Sequence, residues 1–307
     1  MLREFQPPRP YAGPPVIVLG DLLVDYVVQI QALPPAGGDA VIHSWEVHPG
    51  GAGLNTSVGL SLLGVSSALV GVVGEDNEGE RLRRHLAERG VDTSFLQRQG
   101  RTGYVLSLVD AHAERTMFSY RGSSATPVEL TTGLELVLNR TPLLFVSGYG
   151  LQHRDQAEVY LAAARRVKEG GGLVAFDPTP VISQVDRRVV ERVLALADIL
   201  LSNEAELQTL TGCDRLEDAI GLTLRRVHRL GLKLGQRGAK VAVVKAGEAL
   251  VMECPTREVA AVDTTGAGDA FNAGFLAALL YGLPPRTWGE WGNNLAARVV
   301  MKKGASL

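Results

Sequence analysis

Residues 263–275 read DTTGAGDAFNAGF, a glycine-rich turn that runs directly into an alanine-rich apolar helix. The backbone amides in the first turn of a helix have no acceptor inside it, and the helix dipole adds positive potential there. Gly266 and Gly268 carry no side chains that would keep a ligand away from those amides. The segment therefore predicts an anion site that could bind a phosphoryl group without a lysine.

Asp269 falls within this predicted anion site, although its carboxylate would repel an anion. One explanation is that Asp269 takes a proton from a hydroxyl that attacks the phosphoryl group. Phosphoryl transfer depends mainly on positioning and charge stabilisation, so one well-placed base would suffice. The alternative is that Asp269 only stabilises the amino terminus of the helix, as acidic residues commonly do.

A second glycine cluster, PGGAGLNTS at residues 49–57, precedes another predicted helix. By itself it would be explained by a tight turn with Asn55 as the helix cap. Together and in this order, the two segments resemble the GGxGxN and DTxGAGD signatures of the ribokinase-like (PfkB) carbohydrate kinase family. The second signature is matched completely, and the first is matched by Gly50, Gly51, Gly53 and Asn55.

The resemblance assigns chemistry to the carboxyl-terminal signature. It implies that Asp269 is the catalytic base. It also implies that the anion hole for the transferring phosphate is formed by the turn at Gly266, Ala267 and Gly268. In some members of the family the start of the same motif binds a monovalent cation, which implies a K⁺ site at Asp263 and Thr265.

The resemblance also implies a substrate site in the amino-terminal part of the chain. Gly51 and Asn55 would contact the substrate, because bare backbone can lie against a polyhydroxylated ligand and an amide both donates and accepts hydrogen bonds. Asp25, in GDLLVD after the first predicted strand, matches the substrate aspartate of the family. Its two oxygens would suit a pair of adjacent hydroxyls. Asp21 is an alternative functional carboxylate, and either residue could instead be a solvated turn residue.

Two further segments match the nucleotide-binding region of the family. Residues 202–206, SNEAE, match its NxxE motif, so that Asn203 would contact ATP and Glu206 would hold Mg²⁺ through water. An ordinary capped helix would use the same two residues. Lys245 and Gly247 fall where the family places nucleotide contacts, although KAGEA lacks the second glycine that is often found there.

Strands and helices alternate along the chain, most regularly from residue 143 onwards. This alternation predicts an α/β protein with a parallel sheet. The resemblance implies the ribokinase-like three-layer fold, with a central, mostly parallel sheet, helices on both faces and a small β-sheet lid. Near the carboxyl terminus the pattern predicts helices at about 218–230 and 293–302.

One kinase domain is expected over residues 16–307, with lid strands at about 39–49 and 102–121. The proline-rich residues 1–15 predict an extended leader. A lid sheet with an exposed edge could pair with a second copy, which suggests a homodimer through the lid.

Composition excludes several other classes of protein. The formal charge of −2 over 307 residues shows no basic excess for binding nucleic acid or an anionic membrane. Cys213 and Cys254 have no spacing typical of a disulfide framework or a zinc site. The sequence has no apolar signal core, no stretch of the roughly 18 apolar residues that cross a bilayer, and no Walker motif. A cytoplasmic location and small-molecule partners are the expectation.

These observations predict an ATP-dependent phosphotransferase that acts on a primary hydroxyl of a sugar. Leu23 and Ala52 replace an asparagine and a lysine that ribokinase itself usually carries, which argues against strict ribose specificity. The alternatives are a nucleoside kinase of the same family and a non-catalytic sugar-binding regulator. A nucleoside base would need an aromatic slot, for which the candidates are Trp45, Phe118 and Tyr120. A phosphosugar would need a second phosphate site, for which the candidates are Arg101, Arg115 and Arg121.

Overall fold

A computed structural model of the chain describes residues 11–112, 114–302 and 304. The strands in this part of the chain are β1 (Val16–Leu19), β2 (Leu23–Ile30), β3 (Ile42–Gly50), β4 (Ser67–Val73), β5 (Leu96–Arg98), β6 (Gly103–Val109), β7 (Arg115–Tyr120), β8 (Leu143–Ser147), β9 (Leu173–Asp177), β10 (Ile199–Asn203), β11 (Arg229–Lys233), β12 (Ala239–Lys245) and β13 (Glu248–Cys254). The α-helices are α1 (Ala52–Leu62), α2 (Asn77–Glu88), α3 (Thr132–Leu138), α4 (Arg154–Glu169), α5 (Arg187–Leu196), α6 (Glu204–Thr211), α7 (Leu216–Leu224), α8 (Ala267–Leu280) and α9 (Pro285–Val299).

The large sheet has the strand order β13-β12-β11-β10-β9-β8-β1-β4-β5. Neighbouring strands from β11 to β5 are parallel, whereas β12 and β13 run antiparallel at one end. The strands are apolar on both faces because helices cover both. In β1, Val16 and Val18 belong to one hydrophobic core, whereas Ile17 and Leu19 belong to the other.

Each face of the large sheet has its own core. Helices α1, α2, α8 and α9 supply apolar residues to the first core, and α3, α4, α5 and α7 supply the second. The predicted three-layer α/β architecture is therefore confirmed.

A separate small sheet has the order β3-β2-β6-β7. Strands β2 and β6 are parallel, and the two outer pairs are antiparallel. Side chains alternate between its two faces, since successive residues of a strand point in opposite directions. The predicted small sheet is therefore also confirmed, with β3 beginning at Ile42.

Two helix predictions near the carboxyl terminus were wrong in extent. The helix predicted to reach residue 230 ends at Leu224, and residues 229–233 form β11, which pairs with β10 and β12. Pairing on both sides outweighs the local helical pattern of this segment. The last helix begins at Pro285, because proline suits the first turn of a helix, and it ends at Val299. The short elements β5 and α3 were not predicted.

The first ten residues of the expected leader lie outside the described residues. Of the remainder, Tyr11 donates a hydrogen bond from its hydroxyl to the carbonyl of Pro14 and packs edge-on against Tyr281. None of the helices in the described part of the chain has the length and apolar character needed to cross a membrane.

Candidate active site

A cleft of about 760 Å³ lies between the carboxyl ends of the parallel strands and one face of the small sheet. The strand ends meet there in register, since Ser147 pairs with Asp177 and Asn203 pairs with Lys233. The carboxyl-terminal edge of an open α/β sheet is where ligands of such proteins bind. Of the predicted site residues, this cleft is lined by Asp25, Gly51, Asn55, Asn203, Glu206, Thr265, Gly266, Ala267, Gly268 and Asp269.

Asp269 lies in the first turn of α8. Gly266 caps this helix in the left-handed conformation, with φ of 75°, which favours glycine. The amides of Gly268 and Asp269 have no acceptor within the helix, as in any first turn. The Asn55 side chain, on α1, donates a hydrogen bond from Nδ2 to Asp269 Oδ2 at 2.9 Å. The two glycine signatures therefore meet in the fold, although 214 residues separate the bonded side chains.

The carboxyl group of Asp269 is poised to exchange a proton near neutral pH. Burial raises its pKa to about 7, and the negative charges of Asp177 and Asp21 act in the same direction. The Asn55 amide and the charge of Lys233 oppose the rise. A carboxyl group with a pKa this close to neutrality is suited to accept a proton from an alcohol.

Gly51 allows α1 to begin against the end of β1. Its φ is 108°, and a Cβ at this position would lie 2.4 Å from the carbonyl oxygen of Asp21. Only glycine is compatible with both the backbone angle and the contact. One turn further along α1, Asn55 has a buried Oδ1 with no hydrogen-bond partner among the described residues. A substrate hydroxyl could supply that partner.

Asp21 and Asp25 both line the cleft, but their surroundings differ. Asp21 is buried and already paired, because it accepts hydrogen bonds from the amide of Ala52 at 3.1 Å and from Arg121 Nη2 at 2.8 Å. No described residue donates a hydrogen bond to Asp25. Burial and the neighbouring charge of Asp21 raise the pKa of Asp25 to about 7, while His48 lowers it. Asp25 is therefore the carboxyl group that has acceptor positions left for a ligand.

Asn203 and Glu206 line the cleft and also cap α6. The Asn203 side chain accepts a hydrogen bond from the Glu206 amide, and Glu206 accepts two, from the Asn203 amide and from Asn203 Nδ2. Each Glu206 oxygen therefore keeps an acceptor position for one water molecule. Burial raises the pKa of Glu206, against the opposing charge of Lys233.

This arrangement fits Mg²⁺ held through water rather than by direct ligation. The described residues contain no cluster of three or more His, Cys, Asp or Glu side chains that could hold a metal ion directly. Mg²⁺ commonly keeps several waters and is bound by one or two carboxylates together with substrate phosphates. Glu206 could contribute to such a site only beside a bound nucleotide.

Lys233 is a site residue that the sequence did not predict. Its Nζ donates to Asp177 Oδ2 at 2.9 Å and to Asn272 Oδ1 at 3.3 Å. It also lies 3.7 Å from the position a Cβ would take on Gly268. Burial would lower its pKa, but Asp177 and Glu206 outweigh that effect and raise it, so Lys233 remains charged. The predicted anion site therefore has a lysine beside it, although the sequence indicated only that the site could bind a phosphoryl group without one.

Lys233 could have been found from its position at the end of β11, a strand that was not predicted and whose first two residues fell in the predicted helix. Past that strand, Gly235 and Gly238 line the cleft. Lys245 and Gly247, the residues predicted to contact the nucleotide, do not line the cleft. Ala239 pairs with Lys233 whereas Val243 pairs with Arg229, so β12 runs away from the cleft. The exposed hairpin turn after Lys245 therefore lies about 20 Å away, at the opposite edge of the sheet.

Asp263 and Thr265 precede the anion-site turn and are linked to the small sheet. Asp263 Oδ1 accepts hydrogen bonds from the amide of Thr265 at 2.9 Å and from its hydroxyl at 2.7 Å. The same oxygen lies 2.9 Å from Nη2 of Arg115, on β7. Burial would raise the pKa of Asp263, but these donors together lower it to about 2. The oxygens implied to bind K⁺ are therefore already engaged by a guanidinium group.

The aromatic candidates for a base slot lie on the other face of the small sheet. Trp45 stacks on Tyr26, and Tyr120 contacts Tyr104, all on the side away from the cleft. By strand alternation Phe118 shares that face, because Met117 and Ser119 line the cleft.

The three candidate arginines for a second phosphate site also separate. Arg101 lines a different cavity, of about 470 Å³, on the aromatic side of the small sheet. Arg115 and Arg121 face the cleft, but they are paired with Asp263 and Asp21. A phosphosugar would therefore have to compete with existing ion pairs for both of them.

The fold and this cleft define an α/β kinase of the ribokinase-like class. The sequence model of the "pfkB family carbohydrate kinase" family matches residues 15–307. The chain is 34% identical to a fructokinase of Klebsiella pneumoniae over 275 residues, which cover 87% of this chain and 85% of the relative. The chain belongs to the pfkB family, and it is an ATP-dependent carbohydrate kinase.

Solved structures share the fold at lower sequence identity. A structure of Arabidopsis thaliana ribokinase complexed with ribose and ATP superposes with a TM-score of 0.83 at 23% identity, covering 95% of this chain and 94% of that one. A putative ribokinase II from E. coli, in complex with ATP and Mg²⁺, superposes with a TM-score of 0.81 at 24% identity and the same coverage. The predicted ribokinase-like fold is confirmed by these likenesses.

Proposed function

We propose that this kinase transfers the γ-phosphate of ATP to a primary hydroxyl of a sugar, with Asp269 as the catalytic base. The observation that carries the proposal is the hydrogen bond from Asn55 to Asp269 at the amino terminus of α8. It joins a residue of the proposed substrate site to a carboxyl group beside unpaired helix amides. A base, an acceptor alcohol and a phosphate could therefore meet at one place.

In the proposed reaction Asp269 accepts the proton of the substrate hydroxyl while the oxygen of that hydroxyl forms a bond to the γ-phosphorus. The bond from that phosphorus to the bridging oxygen breaks, and ADP leaves with the electron pair. Negative charge on the transferring phosphoryl group would be stabilised by the turn amides of residues 266–268, the proposed anion hole, and by the nearby Lys233 ammonium. Because Asp269 titrates near pH 7, it can be unprotonated before the reaction and protonated after it.

ATP would lie along the ends of β10 and β11. Asn203, Gly235 and Gly238 line that part of the cleft. Mg²⁺, when bound to the ATP phosphates, would neutralise part of their charge, and Glu206 would hold its waters. Lys245 and Gly247 have no place in this proposal, because they lie at the opposite edge of the sheet. K⁺ has none either, because Arg115 engages Asp263 Oδ1 and Thr265 Oγ1.

The acceptor would be held by polar groups. Asp25 has free acceptor positions, Asn55 has an unpartnered Oδ1, and Gly51 leaves its backbone bare. These groups suit a polyhydroxylated sugar, and fructose is the first acceptor to test, since a fructokinase is among the relatives. A nucleoside is the rival acceptor, but Trp45, Phe118 and Tyr120, the candidates predicted to hold its base, lie on the far face of the small sheet.

The small sheet would act as a lid that keeps water away from the transferring phosphate. Its far face also suggests the homodimer, because Trp45 and Phe118 are 65% and 55% exposed there. Light scattering at several concentrations would measure the mass of the particle. A monomer at all of them would exclude this mode of assembly.

The test is an acceptor panel assayed with ATP and Mg²⁺. Fructose, ribose, other hexoses and pentoses, and adenosine would each be offered, and ADP formation would be measured. We expect turnover with at least one free sugar and none above background with adenosine. Preference for adenosine would favour the nucleoside kinase. Binding of a sugar without any turnover would favour the non-catalytic regulator.

A further inference from the structure

Arg115 joins the small sheet to the loop that precedes the anion-site turn. Its Nη2 lies 2.9 Å from Asp263 Oδ1, and its Nη1 donates to Thr265 Oγ1 at 2.7 Å. A guanidinium group bound at two points has a defined orientation as well as a charge. The side chain of Arg115 is one-third exposed, whereas that of Asp263 is buried.

Oδ1 of Asp263 has no acceptor position left. A carboxylate offers about four positions for donors. Oδ1 is used by the amide and hydroxyl of Thr265 and by Arg115, and Oδ2 accepts from the amide of Gly304 at 3.1 Å. An exchangeable cation would have to displace one of these donors to reach Oδ1, and it would have to displace Arg115 to reach the Thr265 hydroxyl as well. The residues that the family resemblance implies for K⁺ therefore do not fit K⁺ in this chain.

The loop bears directly on the proposed anion hole. Thr265 precedes the capping residue Gly266 in the sequence, and the amides of Val262 and Asp263 donate to the carbonyl of Val300 at 2.7 and 3.1 Å. One side of the loop is thus tied to the end of α9. Arg115 supplies the tie to the small sheet, which carries Asp25 and covers the cleft.

We infer that Arg115 is a positioning residue whose guanidinium group replaces an exchangeable monovalent cation and holds the anion-hole loop against the small sheet. The inference rests on the proposed function of that loop. Since the guanidinium group is covalently part of the chain, the enzyme needs no K⁺. Since Arg115 belongs to the small sheet, closing the sheet over the substrate also completes the support of the anion hole.

Removing Arg115 would leave the buried Asp263 carboxylate without its counter-charge. A buried unpaired charge is costly, so the loop would shift unless another cation took the vacated position. Arg115→Ala should therefore acquire a dependence on small cations that the natural chain does not have. Arg115→Lys should retain the charge without the forked geometry and stay independent of K⁺.

The first measurement is thermal unfolding in KCl and in choline chloride at equal ionic strength. A cation that binds the folded state raises the melting temperature. We expect equal melting temperatures for the natural chain in the two salts and a higher value in KCl for Arg115→Ala. A K⁺-dependent rise in the natural chain would overturn the inference. This measurement needs no turnover, so it remains decisive even if the proposed function fails.

The second measurement is kinetic, with fructose or the best sugar of the panel as acceptor. In choline chloride we expect kcat of Arg115→Ala to fall by roughly 10- to 100-fold, because small displacements of catalytic groups cost about that much. Addition of guanidinium or K⁺ should restore several-fold of it, with little change in KM for ATP. Arg187→Ala, which removes an exposed arginine on α5, is the matched control and should respond to neither salt.

Two kinetic outcomes would contradict the inference. One is a natural enzyme that loses activity several-fold when K⁺ is withdrawn. The other is an Arg115→Ala variant that is stable but shows no response to guanidinium or K⁺, which would indicate a purely structural ion pair. If Arg115→Ala does not fold, Arg115→Lys and the salt response of the natural chain still decide between these outcomes.

Discussion

The two edges of the large sheet are built from similar sequence features but differ in chemistry. At the carboxyl-terminal edge β11 ends in a lysine that a glycine loop follows, and this Lys233 lies among buried charged groups in the cleft. At the opposite edge β12 ends in a lysine that a glycine turn follows, and this Lys245 is exposed in a tight hairpin. Strand direction accounts for the difference, because β12 runs antiparallel to its neighbour.

The function of a local motif such as a lysine followed by a glycine turn therefore depends on the edge of the sheet at which its strand ends. Parallel strands deliver their carboxyl ends to one place, where several loops can converge on one ligand. The exposed hairpin turn at the other edge contributes no residue to the cleft. Substitutions at the two edges should therefore differ strongly in their effect on catalysis.

Asp269→Asn should reduce kcat by about 10²- to 10⁴-fold, the usual contribution of a general base. Binding of the sugar, measured by calorimetry, should persist because the amide remains able to accept from Asn55. Glu248→Gln, a carboxylate removed from the exposed hairpin at the other edge, is the control and should retain full activity. Comparable turnover by Asp269→Asn and the natural enzyme would refute the assignment of the base.

Lys233→Met should lower kcat/KM for ATP by roughly 10- to 100-fold, since a charged group beside the transferring phosphate is lost. Lys233 also holds down the pKa of Asp269, so its removal should move the acid limb of the pH profile to higher pH. Initial rates between pH 5.5 and 9 would measure both effects. A reduced rate with an unmoved acid limb would argue that Lys233 does not act on Asp269.

For the natural enzyme, kcat/KM should fall about tenfold per pH unit below a midpoint near 7. The sign follows from the chemistry, because Asp269 must be unprotonated to accept a proton and its pKa is raised to about 7. The pKa of Asp25 is raised to about 7 as well, so protonation of both carboxyl groups could steepen the acid limb of the pH profile. A rate independent of pH between 5 and 8 would show that neither carboxyl group is required in its ionised form.

Asp269→Asn should also stabilise the protein by a few degrees, roughly 2–6 °C in melting temperature at pH 8. The folded-state pKa of Asp269 lies above its ordinary value, so folding favours the protonated form. In the natural chain the stability gained by protonating Asp269 is complete below about pH 4, declines as the pH rises towards 7 and is absent above 7. The advantage of the variant should therefore grow between pH 4 and 7 and then stay constant. Melting curves across this range would test it, and an advantage that shrinks with pH would contradict the raised pKa.

Lys245→Met should change KM for ATP by less than about twofold, since an exposed substitution away from a site has little effect. It is the counterpart of Lys233→Met at the other edge, with the same change of side chain. Nucleotide titrations of both variants would show the contrast directly. A large loss of ATP affinity in Lys245→Met would mean that the nucleotide reaches the opposite edge, and the contrast between the edges would fail.

Much of the architecture could be read from local patterns. The alternation predicted from residue 143 onwards is present, for example in the strand Leu143–Ser147 and the helix Arg187–Leu196, because apolar periodicity and turn residues agree there. The strand Arg229–Lys233 was missed, since its pairing partners are far away in sequence. Missing it also hid Lys233, and the predicted nucleotide contacts Lys245 and Gly247 fall outside the cleft because the next strand runs away from it.

The faces of the small sheet show the same limit. Alternation along β7 indicates that Phe118 and Tyr120 share one face and that Met117 and Ser119 share the other. It does not indicate which face meets the large sheet. That choice depends on how the whole sheet packs, and it placed the aromatic residues outside the cleft and Arg115 inside it.

The linear chain was enough to indicate the pfkB resemblance and the α/β alternation, and to predict an anion site at a helix terminus with Asp269 as the candidate base, because each is encoded by neighbouring residues. The contact of Asn55 with Asp269, the buried Lys233, the pairing of Arg115 with Asp263 and the exclusion of Lys245 emerged from the folded chain. Each of these depends on strand order and direction, which bring together or separate residues that no local pattern relates.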